Sequence, residues 1–358
     1  MMAPGMPGLR RLLSRLHLWT GLSVGVLFAL LGLSGAVLVF HTPLLVWQHP
    51  ALGAHAAVAD GEVLGTIMHR EASNGLRSLD FPRAELPVWQ GYFEDGSRRY
   101  FSPESGDQLL KRTMNDDVLL WLHEFHVELL GGETGKTVLG VVGCICLALL
   151  LIGLYLWWPK RGRMWSQLKV HANPPIRRWL SWHRSPGVVS LPLVLLAVIT
   201  GLGMVYSDAY SKALTGIFGG DPLPKPTASR ASSITPEWSR IIALTEQALP
   251  DARLRRISVP VDGKDEITLR AQTAGEWHPN GRSSVVSDRG GEVVRLRVDA
   301  RKLGLGHRMN IAVYPLHIGV VGGPVMRWLT AFAGLMPMLM FTTGLLFWLR
   351  RRRHRPAR

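Results

Sequence analysis

Hydrophobic positions in this chain gather into four long blocks, residues 16–40, 137–159, 185–207 and 328–349, and none of the four contains Asp, Glu, Lys or Arg. A helix needs about 20 apolar residues to cross the hydrocarbon of a bilayer, so each block predicts one transmembrane helix. The first follows three arginines, as a secretory leader would. Its apolar run is longer than a leader core and no small-x-small cleavage motif closes it, so it is read as a retained helix. Between the blocks the pattern changes. Residues 236–249 read as a helix, residues 266–271 alternate as a half-buried strand does, and residues 284–293 add a strand and a Gly turn. Helix followed by strands predicts a small α+β module. The earlier long loop carries counterparts: a helix over 64–74, a segment 79–82 matching 257–260, and a strand-turn-strand from Tyr100.

The charges are distributed as unevenly as the apolar residues. The formal net charge is +15, from 41 basic and 26 acidic side chains. Three basic residues lie in the first 16, seven in the segment 159–184 and six in the tail from Arg350, and none of these segments holds an acid. The two long loops are close to neutral. This is the positive-inside distribution, and it predicts cytoplasmic termini, a cytoplasmic linker and two periplasmic loops in a bacterial inner membrane. The basic excess therefore reports topology, and nucleic acid is not expected as a partner; membrane lipid is. Cys144 and Cys146 are too few for a disulfide framework or a cysteine zinc site. Two apart on a membrane helix, they point away from each other.

Laying residues 16–40 over 182–206 without gaps matches His17 with His183, Gly21 with Gly187, Ser34-Gly35 with Thr200-Gly201 and Phe40 with Tyr206. The even-numbered helices match likewise: His126 with His317, Gly131-Gly132 with Gly322-Gly323, Gly143 with Gly334, Gly153 with Gly344 and Trp157 with Trp348. Each half starts on the same side, which predicts two parallel repeats about an axis along the membrane normal.

The predicted fold is an integral membrane α-helical protein, a four-helix transmembrane bundle of two parallel hairpin repeats with two small periplasmic α+β modules. Residues 1–41 form the cytoplasmic N-terminus and first helix, 42–121 the first module, and 122–159 the outer His segment and second helix. The basic linker is 160–184, the third helix 185–207 and the second module 208–308. Residues 309–349 form the second outer His segment and fourth helix, and 350–358 the tail.

A lone histidine at a membrane interface is ordinarily structural. Four at equivalent places in two repeats are different, because a bundle would pair His17 with His183 at one surface and His126 with His317 at the other. Two facing neutral imidazoles can serve as the axial ligands of a haem iron. Gly21 and Gly187 lie one turn from His17 and His183 on the same helix face, leaving room for a flat macrocycle. The Ser34-Gly35 and Thr200-Gly201 pairs fit small-residue helix packing equally well. No CxxCH occurs, so the expected cofactor is haem b, two groups held non-covalently. His123, three residues before His126, and His41, at the end of the first helix, are the substitute ligands. His171, His278 and His307 lack repeat partners and read as solvated loop residues. The rise between the two levels is on the order of 30 Å, a distance that two porphyrins could divide.

The stretch LHLWTG with its downstream LSG, the pattern His126-x-x-Leu129-Leu130-x-Gly132-x-x-Gly135 ending in GLYLWWP, and His317-x-x-x-x-Gly322-Gly323 ending in GLLFWLRRR resemble the PepSY-associated transmembrane proteins. The resemblance covers most of the chain, and both loop modules look like divergent PepSY domains. It implies an inner-membrane protein of iron-regulated uptake, similar to di-haem siderophore-iron reductases that pass electrons to periplasmic ferric siderophore. The matching positions are His17, His183, His126 and His317. No dinucleotide or flavin motif occurs in the short cytoplasmic parts, so the electron donor is expected to be a separate cytoplasmic molecule. Two other readings fit the same chain: a non-enzymatic periplasmic binding or regulatory protein, and a siderophore permease. The spans hold no ionisable residue of the kind that ion-coupled transport requires.

Overall fold

The computed structural model describes residues 7–159, 163–224, 226, 234–259 and 265–353. Lys160 and Arg161 of the basic linker, Pro260 and the last five residues of the tail lie outside the described residues. In chain order the helices are α1 (Pro7–Ser23), α2 (Gly25–Leu38), α3 (His41–Gln48), α4 (Gly61–Glu71), α5 (Val118–Glu128), α6 (Gly132–Trp157), α7 (Met164–Gln167), α8 (Pro175–Val205), α9 (Ser207–Phe218), α10 (Trp238–Ala248), α11 (Leu305–His317) and α12 (Gly323–Arg353). The strands are β1 (Leu76–Asp80), β2 (Trp89–Phe93), β3 (Arg98–Phe101), β4 (Gln108–Arg112), β5 (Arg253–Ser258), β6 (Ile267–Gln272), β7 (Ser283–Ser287) and β8 (Val294–Val298). They divide into two compact units. One comprises Met1–Val39, Leu122–Ser207 and Leu316–Arg358, the other Phe40–Trp121 and Asp208–Pro315.

In the helical unit, α6, α8 and α12 are each long and apolar enough to cross a membrane, and α1 with α2 makes a fourth if the pair is one span. Sequence reading predicts one continuous first helix, whereas the structure bends it by 56° at Val24. The cause is local. The Ser23 hydroxyl donates to the Trp19 carbonyl at 2.8 Å, a competing bond that bends helices, and Gly25 follows at once. The predicted third span begins at residue 185, but α8 already begins at Pro175, so His183 is helical. Helix α12 packs on α2 and α8, and α6 on α8 and α1. At the α2–α12 crossing two glycines admit close approach: a Cβ on Gly32 would stand 2.4 Å from the Gly334 carbonyl oxygen. Backbones touch there in the way that small residues allow in membranes.

The other unit corrects the expectation of two modules. Each contributes a helix and four strands, but all eight strands join one antiparallel sheet in the order β4-β3-β2-β1-β5-β6-β7-β8. The seam is β1 against β5, with Leu79 opposite Ile257 and Asp80 opposite Arg256. Alternation along the strands turns Leu79, Ile257, Leu269 and Ile267 into one core with Trp89, Phe93 and Phe101, closed by Val63, Leu64 and Ile67 of α4 and Ile241 of α10. Each of these large side chains contributes about 1.5–3 kcal/mol on burial.

Candidate functional site

The helical unit brings the four repeated histidines together in two pairs. The rings of His17 and His183 have their centroids 6.1 Å apart, and so do those of His126 and His317. Two imidazoles that bind one metal ion from opposite sides, with bonds of about 2.0–2.1 Å and ring centres roughly 1.1 Å behind the nitrogens, have centres about 6.2 Å apart. Both pairs have that spacing. Among the described residues no cluster of three or more His, Cys, Asp or Glu could hold a metal ion.

Each ring is fixed from behind by the helix it faces. His126 Nδ1 lies 3.1 Å from the Leu31 carbonyl oxygen and 3.0 Å from Ser34 Oγ. His317 Nδ1 repeats this with Ala197 O at 3.1 Å and Thr200 Oγ1 at 3.0 Å. His183 Nδ1 does so with Met340 O at 2.9 Å and Thr343 Oγ1 at 3.4 Å. A carbonyl can only accept, so in these three rings Nδ1 carries the proton and Nε2 keeps its lone pair free for a ligand. Anchoring of the second ring nitrogen on a backbone carbonyl is the usual support of a metal-binding histidine. A glycine follows each anchor and lets the ring approach. A Cβ at Gly35, Gly201, Gly153 or Gly344 would stand 2.9, 3.4, 3.1 or 3.3 Å from the Cε1 of His126, His317, His17 or His183 respectively. Carbonyl, hydroxyl and glycine thus recur at the same three positions of a helix.

His17 is the exception. Its Nδ1 is buried without a hydrogen-bond partner: Leu149, in the place of Leu31, Ala197 and Met340, is close but out of hydrogen-bonding geometry. Ile152 stands where the other cradles have a hydroxyl. The turn after His126 is also unusual, since Leu129 and Leu130 both have positive φ, 50° and 61°. That conformation costs an L-residue about 1–2 kcal/mol, and it joins α5, which carries His126, to α6.

A cavity of about 520 Å³ lies against His17 and His183, within the range of small-molecule and cofactor sites. Gly21 and Gly187 line it, as do Arg10, Arg184 and Arg351, and no carboxylate does. A Cβ on Gly21 would come no nearer than 4.0 Å to Leu149, so that wall is open, whereas Met340 Sδ stands 2.8 Å from a Cβ on Gly187. Trp157, also in the wall, has a buried indole N–H with no acceptor. A second space, of about 10 Å³, lies beside His317 between Leu193, Ala197 and Ala333, and His126 does not line it. Ring spacing therefore fits two axial imidazoles at both pairs, anchoring of both rings is found at His126–His317, and the free volume for a macrocycle lies at His17–His183.

The sequence matches the family profile described as PepSY-associated TM region over residues 14–351. The chain belongs to this family. No curated protein matches it. Membership makes this a membrane protein, as its apolar helices also indicate.

The two close imidazole pairs of this PepSY-associated chain are therefore His17–His183 and His126–His317. His123 Nδ1 lies 3.0 Å from Glu124 Oε1 on its own helix. His41 opens α3 in the sheet unit. The reading of His278 as solvated is corrected: it is 3% exposed and stacks on Tyr314 with centroids 5.1 Å apart. His171 is half-buried, its backbone N–H donating to Ser181 Oγ, and His307 Nε2 lies 2.7 Å from the Asp221 carbonyl oxygen. Sequence reasoning missed the cradles. It noticed Ser34-Gly35 and Thr200-Gly201 but gave them equally to helix packing; the signal was Thr343-Gly344 and Ile152-Gly153 in the other two helices.

Proposed function

We propose that this chain is an inner-membrane haem b oxidoreductase that moves electrons from a separate cytoplasmic donor to a ferric siderophore in the periplasm. The observation that carries the reading is the pair of imidazole couples at 6.1 Å, with Nδ1 of three of the four rings held on a backbone carbonyl. In this reading the chain is two parallel hairpin repeats forming a four-helix bundle, N-terminus and C-terminus cytoplasmic, with the sheet unit in the periplasm. The basic flanks support that orientation. His17 and His183 would hold one haem b towards the cytoplasm, and His126 and His317 a second towards the periplasm.

Haem b, when bound, supplies one-electron redox chemistry. The protein's own part is positional. Its helices hold three Nε2 lone pairs in place, and apolar side chains such as Leu22, Phe28 and Leu345 line the cavity. Arg10, Arg184 and Arg351 give that cavity a positive wall suited to an apolar molecule with anionic groups. Gly21 leaves space for a flat ring beside His17.

The test is a reduced-minus-oxidised absorption spectrum of the detergent-purified protein, with haem quantified per chain. A b-type spectrum near two haems per chain is expected, and His126→Ala should lose one haem and keep the other. A colourless protein from haem-replete cells would refute the reading and leave the sheet unit as a binding module. Reduction of a ferric chelate on the sheet side of proteoliposomes, given a reductant inside, tests the direction of transfer.

A further inference from the structure

The sheet face opposite helices α4 and α10 carries a concentration of positive charge that the proposed electron path does not use. Register places Asp80, Arg256, Arg270 and Ser284 side by side across β1, β5, β6 and β7, the alternate positions to the core residues Leu79, Ile257, Leu269 and Val285. The stacked rings of His278 and Tyr314 lie among these side chains. Arg83, Arg98 and Arg256 act on Tyr314, and Arg256, Arg270 and Arg282 act on His278. Five guanidiniums thus act on one aromatic stack, and the carboxylates that act on them are Asp80 and, at Arg282, Glu276.

Asp80 is already committed. It accepts from Arg256 at 2.5 and 3.0 Å, from the Tyr92 hydroxyl at 3.0 Å and from Arg83 at 3.5 Å. Arg83 also donates to Asn280 Oδ1 at 3.0 Å. Arg98 lies over the Tyr92 ring at 4.8 Å, and among the described residues Arg98, Arg270 and Arg282 have no hydrogen-bond acceptor or carboxylate of their own. Arg270 and Arg282 are nevertheless half-buried. Burial and the neighbouring guanidiniums push both below the ordinary arginine value. The same two causes push His278 down to about 3, so its ring is neutral. Because the Asn280 N–H donates to its Nδ1 at 3.2 Å, the proton sits on Nε2, which is one more donor. Glu276 is likewise committed, to the Thr273 and Ser283 N–H groups and the Ser283 hydroxyl, and half-buried guanidiniums with no carboxylate hydrogen-bonded to them are costly unless an anion completes them; their planar forks match carboxylate and phenolate oxygens.

We infer that Arg270, Arg282 and Arg98, with Tyr314 and His278, form a binding site for a small soluble polyanion bearing several carboxylate or catecholate oxygens. Naming that polyanion as a ferric chelate, the electron acceptor, rests on the function proposed above; the site itself does not.

The probe is gallium(III) citrate, a redox-inert polyanionic chelate, titrated into the full-length detergent-purified protein by calorimetry. Saturable binding is expected, weakening as salt rises and weakening about tenfold in each of R270Q and R282Q. A cationic trihydroxamate chelate of gallium should not bind. Among the described residues neither arginine makes a hydrogen bond, so both variants should unfold at or above the unaltered temperature; the salt titration of the unaltered protein tests the site without any variant. Absence of saturable binding, or binding indifferent to both substitutions, overturns the inference. So does binding only to vesicles containing anionic phospholipid, which would assign these arginines to lipid phosphate. Gallium cannot be reduced here, so the two proposals fail separately. Binding in a colourless protein refutes the oxidoreductase alone, and a haem protein that ignores gallium citrate refutes the polyanion site alone.

Discussion

Gly35 and Gly201 occupy equivalent places behind His126 and His317, but their clearances differ, and replacing each by alanine isolates what that difference does. A Cβ on Gly35 would sit 2.9 Å from His126 Cε1, and one on Gly201 would sit 3.4 Å from His317 Cε1. Ordinary contact begins near 3.4 Å, so the first substitution asks the ring to retreat by about 0.5 Å and the second asks for nothing. His126 cannot retreat freely, because Nδ1 is tied to the Leu31 carbonyl and Ser34. Overpacking of this kind costs about 1–3 kcal/mol. Alanine returns up to about 1 kcal/mol of helix propensity at both sites. Gly201→Ala should therefore be neutral or slightly stabilising, while Gly35→Ala should lower the unfolding temperature and weaken retention of the haem proposed for its pair by about 10- to 100-fold. Thermal unfolding and haem per chain, measured on both variants in one detergent, decide it. Equal loss in the two, or no loss in Gly35→Ala, would refute the clearance argument.

Ile152→Thr should give His17 Nδ1 the hydroxyl that the other cradles have, raising stability by about 1 kcal/mol and shifting the midpoint potential of the haem proposed for its pair; an unmoved unfolding temperature and potential would count against it. Arg112, 1% exposed, holds Asp117 through two bonds of 2.6 and 2.7 Å and the Tyr100 hydroxyl at 2.8 Å. Arg112→Gln should destabilise the sheet unit by about 3–5 kcal/mol, visible as early loss of amide protection in β3 and β4. The buried His278 has its folded value pushed below the ordinary 6.5 to about 3 by burial and by Arg282, Arg270 and Arg256. Its unfolded form takes up a proton first as pH falls, so its contribution is full above about 6.5 and is lost between there and about 3, at most on the order of 1 kcal/mol per pH unit. His278→Gln should flatten that slope in a pH series of thermal unfolding; an unchanged slope would assign it to other groups.

The apolar helices are legible in the sequence because hydrocarbon excludes charge: α6, α8 and α12 fall on three of the four uncharged blocks, and α1 with α2 answers to the fourth if the bent pair is one span. The histidine pairing is legible through recurrence: no single position among His17, His126, His183 and His317 is informative, but their equivalence in two ungapped alignments is. The break at Val24 escapes such reading, since it turns on whether the Ser23 hydroxyl chooses the Trp19 carbonyl over solvent. Alternation in β6 tells which of Ile267, Thr268 and Leu269 face the core but not which strand lies alongside. The union of both loop modules in one sheet was therefore beyond it. His278 was misjudged because the ring it stacks on, Tyr314, lies far along the chain.

The β1–β5 seam also sets an order of assembly. Asp80 and its partner Arg256 are 176 residues apart, and α6 and α8 lie between them. At roughly 5–20 residues per second, β1 waits on the order of 10–35 s for its neighbour, with a row of backbone donors and acceptors unpaired. Two hydrophobic helices emerge and can enter the bilayer during that wait. Biogenesis of this protein should thus run from helix insertion to sheet closure, and the open edge of β1 is the point at which a chaperone would be needed.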